Sequence, residues 1–157
     1  MIVPFFVLAL MAPGPTAAPD PAELEVAAVL DRLHVAAAAA DGAAYFALFT
    51  PDARFIGTDA TERWSLTEFR AYAEPYFARG QGWTYTPVER TVTLAPIQCL
   101  CIAWFDEVLD SESYGVTRGS GVLRKTRDGW KIEQYVLSFA VPNDKARAVV
   151  EAIEGPE

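Results

Sequence analysis

Histidine and cysteine are scarce in this chain, with one and two copies in 157 residues, and its 13 Lys and Arg are outnumbered by 21 Asp and Glu. The cationic shortfall leaves a net charge of −8 with no basic run, which excludes nucleic acid as a natural partner, because phosphate binding needs clustered Lys and Arg. It equally disfavours anionic membrane surfaces. Zinc-site, nucleotide-loop and nucleophile-elbow signatures are missing, and no metal or other cofactor is expected. Cys99 and Cys101 have no third ligand near them. They sit two apart on what reads as one strand, where two extended residues span roughly 6.6 Å. A disulfide prefers about 5.5–6 Å, so two buried thiols are expected. His34, the lone histidine, lies in a helical stretch with no Ser or Cys nucleophile around it and reads as structural.

A run long enough to span a membrane is also lacking. The start, MIVPFFVLALMAPGPTAAPD, is instead a short apolar run followed by small residues and prolines. It reads as a secretory signal over residues 1–18, cut near Thr16-Ala17-Ala18, which leaves 19–157 as one domain exported to a periplasm or the exterior. No Lys or Arg precedes the apolar run and Pro19 follows the cut, which keeps a cytoplasmic location open. No stable membrane insertion is expected.

What the chain does have is apolar and aromatic material, 52% and 12% of residues, enough for a genuine core. The stretch 97–141 reads as three long strands, Ile97–Asp110, Tyr114–Lys125 and Trp130–Val141, the last two joined by a tight turn at Asp128-Gly129. The first strand is apolar on both faces until Asp106-Glu107, so both sides of the sheet should be covered, one by helices and the other by a second subunit. Upstream, Asp20 and Pro21 open a helix running to Ala40. A short helix follows over Ala43–Phe49, then a brief strand at Ala53–Gly57. Ser65-Leu66-Thr67-Glu68 has capping-box form and starts a third helix bearing Phe69, Tyr72, Ala73, Tyr76 and Phe77. Trp83–Leu94 is a further strand, with Pro87 marking an edge or a bulge.

This is an α+β layout. Its order resembles the nuclear-transport-factor-2-like (NTF2-like) superfamily, in particular the SnoaL-like branch. So do the strings Tyr45–Phe49, Asp52-Ala53-Arg54-Phe55-Ile56-Gly57-Thr58, Glu62-Arg63-Trp64, Trp104-Phe105-Asp106-Glu107, Gly119-Ser120-Gly121 and Gly129-Trp130-Lys131-Ile132. The resemblance implies a cone, a curved antiparallel sheet wrapped by N-terminal helices around a pocket. The superfamily holds isomerases, hydratases, cyclases and non-catalytic binders, so the fold alone does not name an activity.

Periodicity leaves the concave face open, because both faces are apolar. The even face, with Trp104, Asp106, Arg118, Ser120, Gln134 and Ser138, offers apolar walls with a few polar groups and is the expected lining. Glu62, Trp64, Tyr72 and Trp83 would complete it, each with a competing reading as loop anchor or core. Asp106 has two readings. Desolvated beside Trp104 and Val108, it would be a general base. If the hairpin centres near Glu112, it faces Arg118 and forms a structural ion pair. Glu107 points the other way, toward surface or interface. The expectation is a homodimeric binding protein for a small apolar or aromatic molecule. The alternative is a cofactor-free acid–base enzyme of isomerase, hydratase or cyclase type using Asp106.

Overall fold

Asp20 sets the start of the first helix, α1 (Pro21–Ala38): its carboxylate accepts from Ala22 N at 2.8 Å, and the Glu23 side chain reaches back to Asp20 N. A computed structural model describes residue 18 and residues 20–155. The expected signal peptide lies outside the described residues except for residue 18. Among the described residues no helix is long and apolar enough to cross a membrane.

After α1 come α2 (Gly42–Phe46), β1 (Phe49–Ile56), the short β2 (Arg63–Ser65) and α3 (Leu66–Phe77), then β3 (Thr86–Leu94), β4 (Ile102–Ser111), β5 (Gly115–Thr126) and β6 (Gly129–Phe139). A single 3-10 turn at Asn143–Lys145 leads into α4 (Ala146–Glu154), which buries no residue. The expected capping box of α3 is present, with Ser65 and Glu68 satisfying each other's amides. The strands form one curved sheet in the order β2-β1-β6-β5-β4-β3. All neighbours are antiparallel except β1 and β6, which run parallel. Parallel neighbours need a crossover, and the helix and strands between them supply it. Pro87 sits on the edge strand beside a register shift, where a missing amide costs no ladder bond.

Helices cover one face only. Val26, Val29, Leu30, Leu33, Ala36 and Ala37 of α1 pack with Phe69, Ala73 and Phe77 of α3 against Ala103, Phe105 and Leu109 of β4, Leu123 of β5 and Ile132, Tyr135 and Leu137 of β6. The buried residues of β4 are thus the odd ones, the opposite of the expected even face. On the helices, Phe69 and Phe77 are buried but Tyr72 and Tyr76 are exposed, so the third helix does not bury its aromatics as one stripe.

Two further expectations are corrected. The stretch 96–101 is not strand, since β4 begins at Ile102. Cys99 and Cys101 are bonded to each other, not buried thiols. Leu100 between them has φ 45°, so the chain turns and brings the two Cα atoms to 5.1 Å, within disulfide range. The β4–β5 hairpin closes as Ser111 opposite Gly115, one residue later than a centre at Glu112 would give. Asp106 therefore pairs with Ser120, and Arg118 with Val108.

Candidate functional site

Between α1, α3 and the inner face of the sheet lies a cavity of about 140 Å³. Its walls are mainly aromatic. Phe55 of β1 stacks on Phe69 of α3 with centroids 3.8 Å apart and planes 13° from parallel. Trp64 and Tyr135 lie within 20° of the Phe55 plane, and Tyr72 stacks on Trp64 at 4.8 Å. Trp83, Tyr85 and Tyr114 complete the ring of aromatics, with the exposed Tyr72 and Tyr114 at the mouth.

The polar groups converge on one carboxylate. Glu107 of β4 is fully buried, and three side chains from three other elements donate to it. His34 Nε2 of α1 is 2.9 Å from Oε1, the Tyr135 hydroxyl of β6 donates to the same oxygen at 2.9 Å, and Arg90 Nε of β3 donates to Oε2 at 2.8 Å. Arg90 is held in turn by Asp31 Oδ1 at 2.6 Å and the Ala27 carbonyl at 3.1 Å, both on α1. Burial works against ionisation of Glu107, but its pairing with His34 and Arg90 outweighs it and holds the carboxyl below its ordinary range. Burial, then the Glu107 charge, push the Tyr135 phenol well above its ordinary range, so it stays a donor.

An ionised carboxylate only accepts, so the hydrogen in the His34 bond belongs to Nε2. In the neutral ring the lone pair then sits on Nδ1, which is neither bonded nor sealed in among the described residues, and His34 lines the cavity. A carboxylate that fixes one nitrogen of an imidazole lining a pocket, and leaves the other nitrogen without a partner, can orient that ring as a general base.

Glycine makes the arrangement possible at two points. A Cβ on Gly119 of β5 would collide with the Tyr135 hydroxyl and the Glu107 carboxylate. A Cβ on Gly57 would run into the Glu62 carboxylate, which lines the cavity and also accepts from Asp59 N at 3.2 Å. Glu62 thus anchors its loop and faces the cavity at once.

Of the residues singled out in the sequence, Glu62, Trp64, Tyr72 and Trp83 line the cavity. Trp104, Asp106, Arg118, Ser120, Gln134 and Ser138 do share a face, in the cross-strand rows Trp104–Val122–Gln134, Asp106–Ser120–Val136 and Val108–Arg118–Ser138. That face is the outer one. Asp106 is exposed and cannot act as base in the cavity, and no Asp106–Arg118 ion pair forms among the described residues. Glu107 and His34 are the missed pair, the first expected on the surface and the second as a lone structural residue. Glu107 is in phase with Ala103, Phe105 and Leu109, but the other face of the strand is apolar too; the one local signal was a histidine in phase with Leu30 and Ala37 of the helix core. Among the described residues no three His, Cys, Asp or Glu side chains are grouped closely enough to hold a metal ion.

The profile of the SnoaL-like domain family matches residues 26–142, which takes in every residue of the cavity and its charged floor. The chain belongs to the SnoaL-like domain family. Solved structures with the same fold include an NTF2-like protein of unknown function from Pseudomonas putida KT2440, at 16% identity, 79% and 90% coverage of the two chains and a TM-score of 0.65. A candidate dehydratase of the NTF2-like family from Streptomyces avermitilis aligns at 15% identity over 80% of this chain and 100% of its own, with a TM-score of 0.66. A candidate ketosteroid isomerase from Shewanella frigidimarina aligns at 22% identity over 75% and 98%, with a TM-score of 0.58. At these identities the likeness is one of fold. No curated protein matches the chain. Within this SnoaL-like cone the sheet supplies Glu107, Arg90 and Tyr135, and α1 supplies the histidine.

Proposed function

We propose that this SnoaL-like protein binds a small, flat, largely apolar molecule in the aromatic cavity and moves a proton on it without a cofactor, with His34 as the general base. The observation that carries the reading is the His34–Glu107 pair: a buried carboxylate holds Nε2 of a histidine that lines the cavity, and Nδ1 has no hydrogen-bond partner among the described residues. Glu107 orients the ring and would offset the positive charge that forms when Nδ1 takes a proton. Tyr85, pushed up to about 12 chiefly by burial, remains protonated at neutral pH and can donate to an oxygen on which negative charge develops. A second reading, binding without chemistry, draws on Glu107: its bonds to His34, Arg90 and Tyr135 tie up both carboxylate oxygens, as a purely structural buried charge would be tied.

One experiment separates them. Exchange of the α-protons of a small cyclic enone in D2O, followed by proton NMR, reports base chemistry directly. Trp64 and Trp83 line the cavity, so quenching of their fluorescence reports binding. His34→Gln is expected to slow exchange by about 10²–10⁴-fold while quenching persists. Exchange undiminished in that variant removes His34 as base, and quenching without exchange by the unaltered protein leaves the binding reading.

We also propose that a second copy of the chain covers the outer sheet face, where Trp104 remains 43% exposed beside Val122, Val108 and Val136.

A further inference from the structure

The bridge between Cys99 and Cys101 lies in the β3–β4 connection, at the surface and on a separate segment from the cavity. Ordinary structural disulfides stabilise by closing long loops in the unfolded chain, and the effect falls as the loop shortens. This one encloses a single residue. Its loop is already closed at the base by the β3–β4 ladder and by the hydrogen bond from Ala95 N to the Ile102 carbonyl at 2.9 Å. The enclosed residue, Leu100, sits at φ 45°, in the left-handed region that a leucine side chain disfavours, and is 53% exposed. Cys99 is exposed as well, and Cys101 half-buried. The bond therefore holds little of the fold together, keeps a neighbour in an unfavourable conformation and stands open to an incoming thiolate. Exposed bonds under local strain are the exchangeable ones.

We propose that Cys99–Cys101 is a thiol–disulfide exchange site that takes two electrons from a thiol donor. The donor's thiolate attacks Cys99 Sγ, the sulfur–sulfur bond breaks, and Cys101 leaves as a thiolate that takes a proton from water. A second donor thiolate attacks the donor sulfur of the mixed disulfide and releases Cys99 as a thiolate, which is protonated in turn. The donor leaves as its disulfide and the protein as a dithiol, so electrons and protons balance.

The test exposes the full oxidised chain to graded ratios of reduced and oxidised glutathione and, separately, to a reduced Cys-x-x-Cys peptide. Remaining thiols are alkylated and counted by mass spectrometry, and thermal melts are recorded alongside. Conversion to the dithiol in millimolar thiol within minutes, with a melting temperature only a few degrees lower, is the expected result. Faster reaction with the peptide would identify protein dithiols as the donor class. A bond that resists both donors until the chain is denatured, or a reduction that abolishes cooperative melting, overturns the proposal. Cys99→Ser/Cys101→Ser should melt like the reduced protein. Leu100→Asn, better suited to the left-handed region, should need an about fivefold more reducing glutathione ratio for half-conversion; an unchanged midpoint overturns the role given to Leu100.

Discussion

Glu107 keeps a charge where water does not reach, so its three donors must supply what solvent would. Removing the carboxylate leaves His34 and Tyr135 without this partner, and Arg90 with only Asp31 and the Ala27 carbonyl. Glu107→Ala is expected to cost about 3–5 kcal/mol, a loss of roughly 10 °C in melting temperature for a chain of this size. Glu107→Gln keeps the shape, removes the charge, and isolates the pH dependence. The folded pKa of Glu107 lies below its ordinary 4.5, so in acid the unfolded chain binds the proton first. The stability that the ionised group contributes is in place above pH 4.5 and is lost as pH falls through the lower folded value. Melting temperatures measured from neutral pH down through this window should fall more steeply for the unaltered protein than for Glu107→Gln. Parallel curves would mean that the carboxylate gains nothing from its partners.

At the scale of elements, the features readable in the sequence are those decided by near neighbours. The caps at Asp20 and Ser65 follow from side chains three residues apart, and the turn at Arg127-Asp128 follows from Gly129, which takes φ 93°. Which face of β4 turns inward is decided elsewhere, by where α1 lands. With Trp104 on one face and Phe105 on the other, alternation alone could not choose. The His34–Glu107 contact spans 73 residues and exists only once helix and sheet have docked, so no local spacing announces it. Gly119 shows the same limit, since what it packs against lies on the neighbouring strands. It lets β5 pass under the Tyr135 hydroxyl and the Glu107 carboxylate. Gly119→Ala should force the two apart, costing about 1–3 kcal/mol by denaturant midpoint and lowering proton exchange, while fluorescence quenching by an apolar guest is retained. A variant that melts and exchanges like the parent would show that the strand has slack there.

For the whole molecule, the question is what the uncovered half of the sheet is for. Helices protect the inner face alone, and the outer face presents Trp104, Val108, Val122 and Val136 in adjoining rows, interleaved with Asp106, Ser120, Gln134 and Arg118. A tryptophan with almost half its surface in water is the kind of residue that anchors interfaces. The polar neighbours fit an interface that is apolar at its centre and hydrogen-bonded around it. If two copies meet here, Trp104→Glu buries a charge against its own symmetry mate and the pair should separate. Light scattering on the eluting protein should give twice the chain mass for the parent and the single chain mass for the variant. Quenching of Trp64 and Trp83 by an apolar guest should survive, because the cavity opens on the other side of the sheet. A parent that elutes at the mass of one chain would leave Trp104 without this role. A variant that loses quenching along with its partner would mean instead that the outer face helps to hold the curvature on which the cavity depends.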